Sequence, residues 1–201
     1  MNNPGEILNR NALRDGDVIC RRGTALISKA IMLATGGAWS HDALIIRNPK
    51  TGALAIGDAI GGATDECQIT PLVEWERGCR EDGHRIIVLR PAYATEEQGQ
   101  RAANFWVSHI AGQRYDKVAI WRLGLKAIFG DWFSGKVGMM SRFFCTEGCR
   151  DAWDAAGLNP WWPKVNATPR TTQNRYEEGR FREVTDALTD AGRRYAINFS
   201  R

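Results

Sequence analysis

Cysteine and histidine are the residues of this chain best suited to nucleophilic chemistry near neutral pH, and both are scarce: five cysteines and three histidines in 201 residues. Cys145 stands where an apolar approach, Phe143-Phe144, meets the start of a helical pattern. The first turn of a helix presents unpaired backbone N–H groups and a partial positive charge. Both favour a thiolate, and the same N–H groups can hold the oxyanion formed when that thiolate attacks a carbonyl. The competing reading of Cys145 is a small buried hydrophobe, a common fate of free cysteine.

His41 follows Trp39-Ser40 and opens a mostly apolar run. A histidine fixed on a strand suits a general base that must face a thiol. A satisfied histidine at a strand edge is the alternative. His84, at a strand entry, and His109, late in a helix where a cation suits the dipole, read as structural. Asp58 lies in Ala55-Ile-Gly-Asp-Ala-Ile60, on the strand expected to pair with that of His41. An acid buried there needs a partner. One imidazole nitrogen of His41 would serve, and the contact would fix the tautomer. Asp42 is a rival, but adjacent strand residues point to opposite faces, so it is expected to look away from the site.

A metal site is a competing reading of the same residues. Cys145 and Cys149, at i and i+4, share a helical face, and Cys20, His41 or Cys67 would have to complete the set. Structural zinc sites use two compact ligand pairs, and only one is present, so no metal and no other cofactor is expected. Cys149 reads as a core residue beside Trp153.

The elements that must position these groups follow from pattern. Asp15-Gly-Asp17 is a turn leading into a strand over 18–20. A helix is expected over 25–34, stopped at Gly36-Gly37. Residues 40–46 read as a strand buried on both faces. A turn at Asn48-Pro-Lys-Thr-Gly52 returns the chain as a strand over 53–60, and a fourth strand covers 85–89. The period then lengthens to 3.6. Helices are expected over 95–110, 116–129 and 145–156, with a Gly-rich stretch at 130–138 between the last two. The tail is polar and Arg-rich, with a weak helical signal near 185–194. Strands first and helices after give an α+β class, a small antiparallel sheet packed against helices.

Composition sets the bounds. Hydrophobic residues are 43% and charged residues 25%, ordinary for a globular chain and incompatible with wholesale disorder. The length suits one domain over 1–201, with core motifs at about 14–170 and an Arg-rich extension at about 171–201. Five irregularly spaced cysteines argue against a disulfide framework and for a reducing compartment. Neither a membrane span nor a signal peptide is legible. The expectation is a protein cytoplasmic as synthesised, delivered elsewhere, if at all, by a secretion system or a phage particle. The net charge is +4, and 21 of the 27 basic residues are Arg. That is a weak preference for anions without the basic run of a nucleic-acid arm, so no specific nucleic acid is expected.

The ordered set of short motifs carries a resemblance. Arg14-Asp-Gly-Asp-Val18, Trp39-Ser-His-Asp-Ala-Leu-Ile-Ile46, Gly57-Asp-Ala59, Gly112-Gln-Arg-Tyr-Asp116, Phe144-Cys-Thr-Glu147 and Ala167-Thr-Pro169 follow one another over about residues 14–170. In this order the chain resembles the circularly permuted NlpC-type papain-like cysteine hydrolases of bacteria and phages, most closely their YiiX-like branch. There the histidine strand precedes the cysteine helix. The resemblance implies Cys145 as nucleophile, His41 as base and Asp58 as the residue orienting it. It also implies pocket or oxyanion positions at Tyr115, Thr146 and Trp39. Glu147 matches the acid of the family's Cys-Ser-Glu run and reads as a helix anchor. Thr146 replaces the usual Ser, and Asp58 replaces the more frequent Glu or His.

The expected activity is that of a thiol peptidase or amidase, cutting an amide bond through a Cys acyl-enzyme. Cell-wall peptide (peptidoglycan) is the substrate favoured by resemblance. Two alternatives stand beside it. One is thiol-dependent lipid acyl transfer or lipid hydrolysis, with the aromatics of 121–133 as an interfacial helix and a membrane surface as partner. The other is a non-catalytic binding module on the same fold.

Overall fold

In the computed structural model, residues 6–59, 66–114, 145–162 and 167–197 are described. The expected helix over 116–129, the Gly-rich stretch 130–138 and Tyr115 lie outside them. Six strands form one sheet: β1 (Val18–Arg22), β2 (His41–Arg47), β3 (Leu54–Asp58), β4 (Gln68–Pro71), β5 (Arg85–Pro91) and β6 (Phe181–Glu183). Their order is β4-β3-β2-β1-β5-β6, with every pairing antiparallel. The described α-helices are α1 (Leu26–Thr35), α2 (Leu72–Glu81), α3 (Glu96–Phe105), α4 (Cys145–Ala155) and α5 (Pro169–Glu177). The α+β class expected from the strand-then-helix order is therefore observed.

The sheet is covered on both faces, which is why β2 is an almost unbroken apolar run. Val18, Cys20, Leu44, Ile46, Ile87 and Leu89 pack against α3 and α4 with Trp106, Cys149 and Trp153. The alternate residues Ile19, Ala43, Ile45, Ile56, Ile86 and Val88 pack against Leu72, Trp75 and Cys79 of α2 and against both chain ends. Thr95 starts α3 with a capping box closed by Gln98, and the helix runs on through a π-helical turn, Trp106–Ile110. Gly36, at φ 66°, ends α1.

Two elements on the α2 side had no counterpart in the sequence pattern. β4 is a four-residue edge strand ending in Pro71, a placement proline tolerates. In α2 the buried positions Leu72, Trp75, Glu76 and Cys79 form a helical stripe, but one of them is an acid. Glu76 is buried because it accepts the Ile7 and Leu8 backbone N–H groups and pairs with Arg10.

The tail differs from expectation as well. Instead of a helix near 185–194, the chain forms α5 and β6, and then turns with a short 3₁₀ segment at Arg193–Tyr195. Thr168 caps α5 with Pro169 in its first turn, and the helix buries only Pro169, Thr172 and Gln173. Such a polar stripe leaves no hydrophobic period to read. The segment past residue 170 thus supplies the sixth strand, through pairing of Phe181 with Pro91.

Candidate active site

β2 and β3 are neighbours in register, Leu44 opposite Gly57, so Asp58 at the end of β3 lies beside the start of β2. His41 Nε2–H donates to Asp58 Oδ1 at 2.5 Å, and Trp75 Nε1–H of α2 donates to Asp58 Oδ2 at 3.3 Å. Both side chains are buried. Burial alone would raise the Asp58 carboxyl, but the His41 and Arg21 charges and the Trp75 hydrogen bond hold it below its ordinary value. Burial alone would lower His41. The Asp58 charge and the nearby Cys145 side chain raise it to about 10.

Cys145 opens α4, so its sulfur sits where the helix begins. Along β2, Asp42 shares its face with Leu44 and Ile46, and that face carries α4. His41 falls on the opposite parity with Ala43 and Ile45. Being the first residue of β2, at the end of the sheet, it reaches the first turn of α4 as well as Asp58.

Asp42 does not look away from the site. The parity argument holds, but α4 lies on the face Asp42 occupies. Thr146 Oγ1–H donates to Asp42 Oδ2 at 2.7 Å, and Thr172 Oγ1–H of α5 donates to the same oxygen at 2.6 Å. Trp161 Nε1–H in turn donates to Thr172 Oγ1 at 3.0 Å. Cys20 lies opposite Asp42 across β1 and β2, with its thiol beside the carboxylate. Burial raises the Asp42 carboxyl, and these donors oppose that shift. A buried acid thus fastens the start of α4 to the histidine strand and to α5.

The other expected pocket residues are reassigned by their surroundings. The Thr146 hydroxyl is spent on Asp42, which leaves only its backbone N–H to face a ligand. Trp39 is fully buried in the core and has no surface to offer a substrate. Glu147 lies in the first turn of α4, where an acid suits the dipole. Burial pushes the Cys67 and Cys79 thiols up to about 12 and those of Cys20 and Cys149 well above their ordinary value. Among the described residues, no group of three or more His, Cys, Asp or Glu side chains is arranged to hold a metal ion.

Sequence reasoning missed Trp75, Thr172 and Arg21. The last pairs with His41 across the strands and adds its charge beside Asp58. Only the tryptophan was a usable signal, since a buried indole N–H usually finds an acceptor. The first and the last of the matched motifs also hold structural residues. Asp17 of the first is buried and paired with Arg90 at 2.6 Å, and Thr168 of the last caps α5.

No family model matches the chain, and no curated protein matches it. Among solved structures it is similar to the crystal structure of metalloprotein yiiX from Escherichia coli O157:H7 (DUF1105). The TM-score is 0.51 at 21% identity, over 89% of this chain and 91% of that one. A metal belongs to that protein's description; among the described residues here, no three His, Cys, Asp or Glu side chains form a donor set that fits one. At this identity the likeness speaks for the fold alone: the chain has a YiiX-like α+β fold built on a six-stranded antiparallel sheet.

Proposed function

We propose that this chain is a thiol hydrolase of the permuted papain-like, NlpC type, cleaving an amide bond through an acyl-enzyme on Cys145. The observation that carries the reading is the position of His41, held through Nε2 by Asp58 and near enough to Cys145 for that side chain to raise it. With Nε2 engaged, Nδ1 is the nitrogen left for the thiol.

The Cys145 proton passes to His41, and the thiolate sulfur bonds to the amide carbonyl carbon. Backbone N–H groups of the first turn of α4 receive the developing oxyanion. Collapse breaks the C–N bond, and His41 gives its proton to the leaving amine. Neutral His41 then takes a proton from water, whose oxygen attacks the thioester. The carboxylic acid leaves, and the proton on His41 returns to Cys145. A His41 raised to about 10 favours a resting imidazolium, the partner a thiolate needs. A cell-wall peptide is the proposed substrate, by resemblance.

The test is alkylation with limiting iodoacetamide across about pH 5 to 9, followed by peptide mapping. Cys145 is expected to react first among the five cysteines and to remain reactive at the acid end. His41→Ala should abolish that acid-side reactivity. If Cys145 reacts no faster than the other four, the hydrolase reading fails and a binding module takes its place.

A further inference from the structure

We propose that α1 and the basic cleft beside it form a docking surface for an anionic phospholipid bilayer, independently of whether the chain is a hydrolase. None of the ten residues of α1 is buried, although seven of them are apolar. Leu26 and Leu33 are 84% and 78% exposed, and Ile27 is 48% exposed. Leu26, Ala30 and Leu33 recur at helical spacing and form one stripe, which Ile27 widens. Large side chains clustered on an exposed helix face mark a contact surface.

The opposite flank of the stripe supplies the charge. Lys29 and Met32 of α1 line an open cleft of about 530 Å³ together with Arg22, Thr24 and Arg85. Arg22 and Arg85 stand directly opposite each other on β1 and β5. Like charges so placed are destabilising unless an anion lies between them. Among the described residues, neither arginine nor Lys29 forms an ion pair. α1 contains no acid. Asp82, beside the cleft, faces His84 Nε2 at 3.7 Å.

An apolar stripe bordered by cations is the surface chemistry of an interfacial helix. Its aliphatic side chains enter the acyl layer while the cations meet lipid phosphates. Charge complementarity therefore selects an anionic bilayer. Arg22 follows Arg21, the residue opposite His41, so docking brings the bilayer to the end of the sheet that carries His41.

The experiment is co-sedimentation of the full chain with phosphatidylcholine vesicles, with and without phosphatidylglycerol. Binding should be at least about tenfold tighter to the anionic vesicles and should fall between about 50 and 500 mM salt. Arg22→Gln with Arg85→Gln should weaken it by about 25-fold. Leu26→Ser with Leu33→Ser should weaken it by at least about tenfold. All four positions are exposed, and circular dichroism should show both variants folded. Three results would overturn the proposal. The first is no binding to anionic vesicles, or binding that either variant leaves unchanged. The second is titratable binding of inorganic phosphate without vesicle binding, which would make the cleft a soluble-anion site. The third is self-association abolished by the leucine variant without vesicle binding, which would assign α1 to a second copy of the chain.

Discussion

Thr146 and Asp42 stand 104 residues apart in sequence and are joined by a 2.7 Å hydrogen bond in the core. Each is the immediate C-terminal neighbour of a candidate catalytic residue, Cys145 and His41 respectively. The bond therefore sets the spacing of thiol and imidazole through the backbone that joins each pair of neighbours.

Breaking that link should cost stability and alignment together. Asp42→Ala strands the Thr146 and Thr172 hydroxyls in the core and should destabilise the fold by about 2–4 kcal/mol. Thr146→Val removes one donor to Asp42 and should cost about 1–2 kcal/mol. Urea denaturation measures both. If Thr146→Val alters neither the denaturation midpoint nor Cys145 alkylation, the link does not position the thiol.

The His41–Asp58 pair predicts a pH window for stability. His41 is raised in the folded state, so its contribution is full below about pH 6.5 and is lost as pH rises through about 10. Asp58 is lowered, so its contribution is full above about pH 3.8 and is lost as pH falls below that value. The Tm difference between the wild type and His41→Gln should be largest near pH 4–6.5 and shrink by pH 10. A difference that does not vary with pH would refute the pairing as a source of stability.

Asp58→Asn separates charge from shape. The amide can still accept from His41 Nε2–H, but the negative charge that raises the imidazole is gone. The imidazolium is then less favoured, and the alkylation profile of Cys145 should move to higher pH. Turnover of a cell-wall peptide should fall by about ten- to a hundredfold. An unchanged profile would remove Asp58 from the proposed triad and leave it a packing residue.

Trp106 should make Gly57 and Gly148 irreplaceable as a pair of contacts. A Cβ at Gly148 would meet its Cζ3 at 2.7 Å, and one at Gly57 would meet its Cε2 at 2.6 Å. One ring therefore spaces the Asp58 strand from the Cys145 helix. Gly57→Ala or Gly148→Ala should each cost about 1–3 kcal/mol in urea denaturation. Trp106→Leu should relieve part of that cost in the double variants. Additive losses would show that the ring is not the shared obstacle.

The sequence alone determined what local pattern can determine. The apolar run of β2, the Thr95 cap of α3 and the glycine that ends α1 are written within a few residues of where they act. The candidate trio of Cys145, His41 and Asp58 could be named because cysteine and histidine are scarce and an acid stands on the strand expected beside that of His41. Tertiary packing decided the rest. Strand alternation correctly sends Asp42 and His41 to opposite faces, but it cannot say which face receives α4. The hydroxyl donors to Asp42, on Thr146 and Thr172, lie more than 100 residues away, so no local spacing encodes them. Glu76 and Thr172 occupy core positions as polar residues satisfied by distant groups, and that broke the hydrophobic period of α2 and α5. A buried polar residue reveals its role only when its partner arrives, and that partner is brought by the fold.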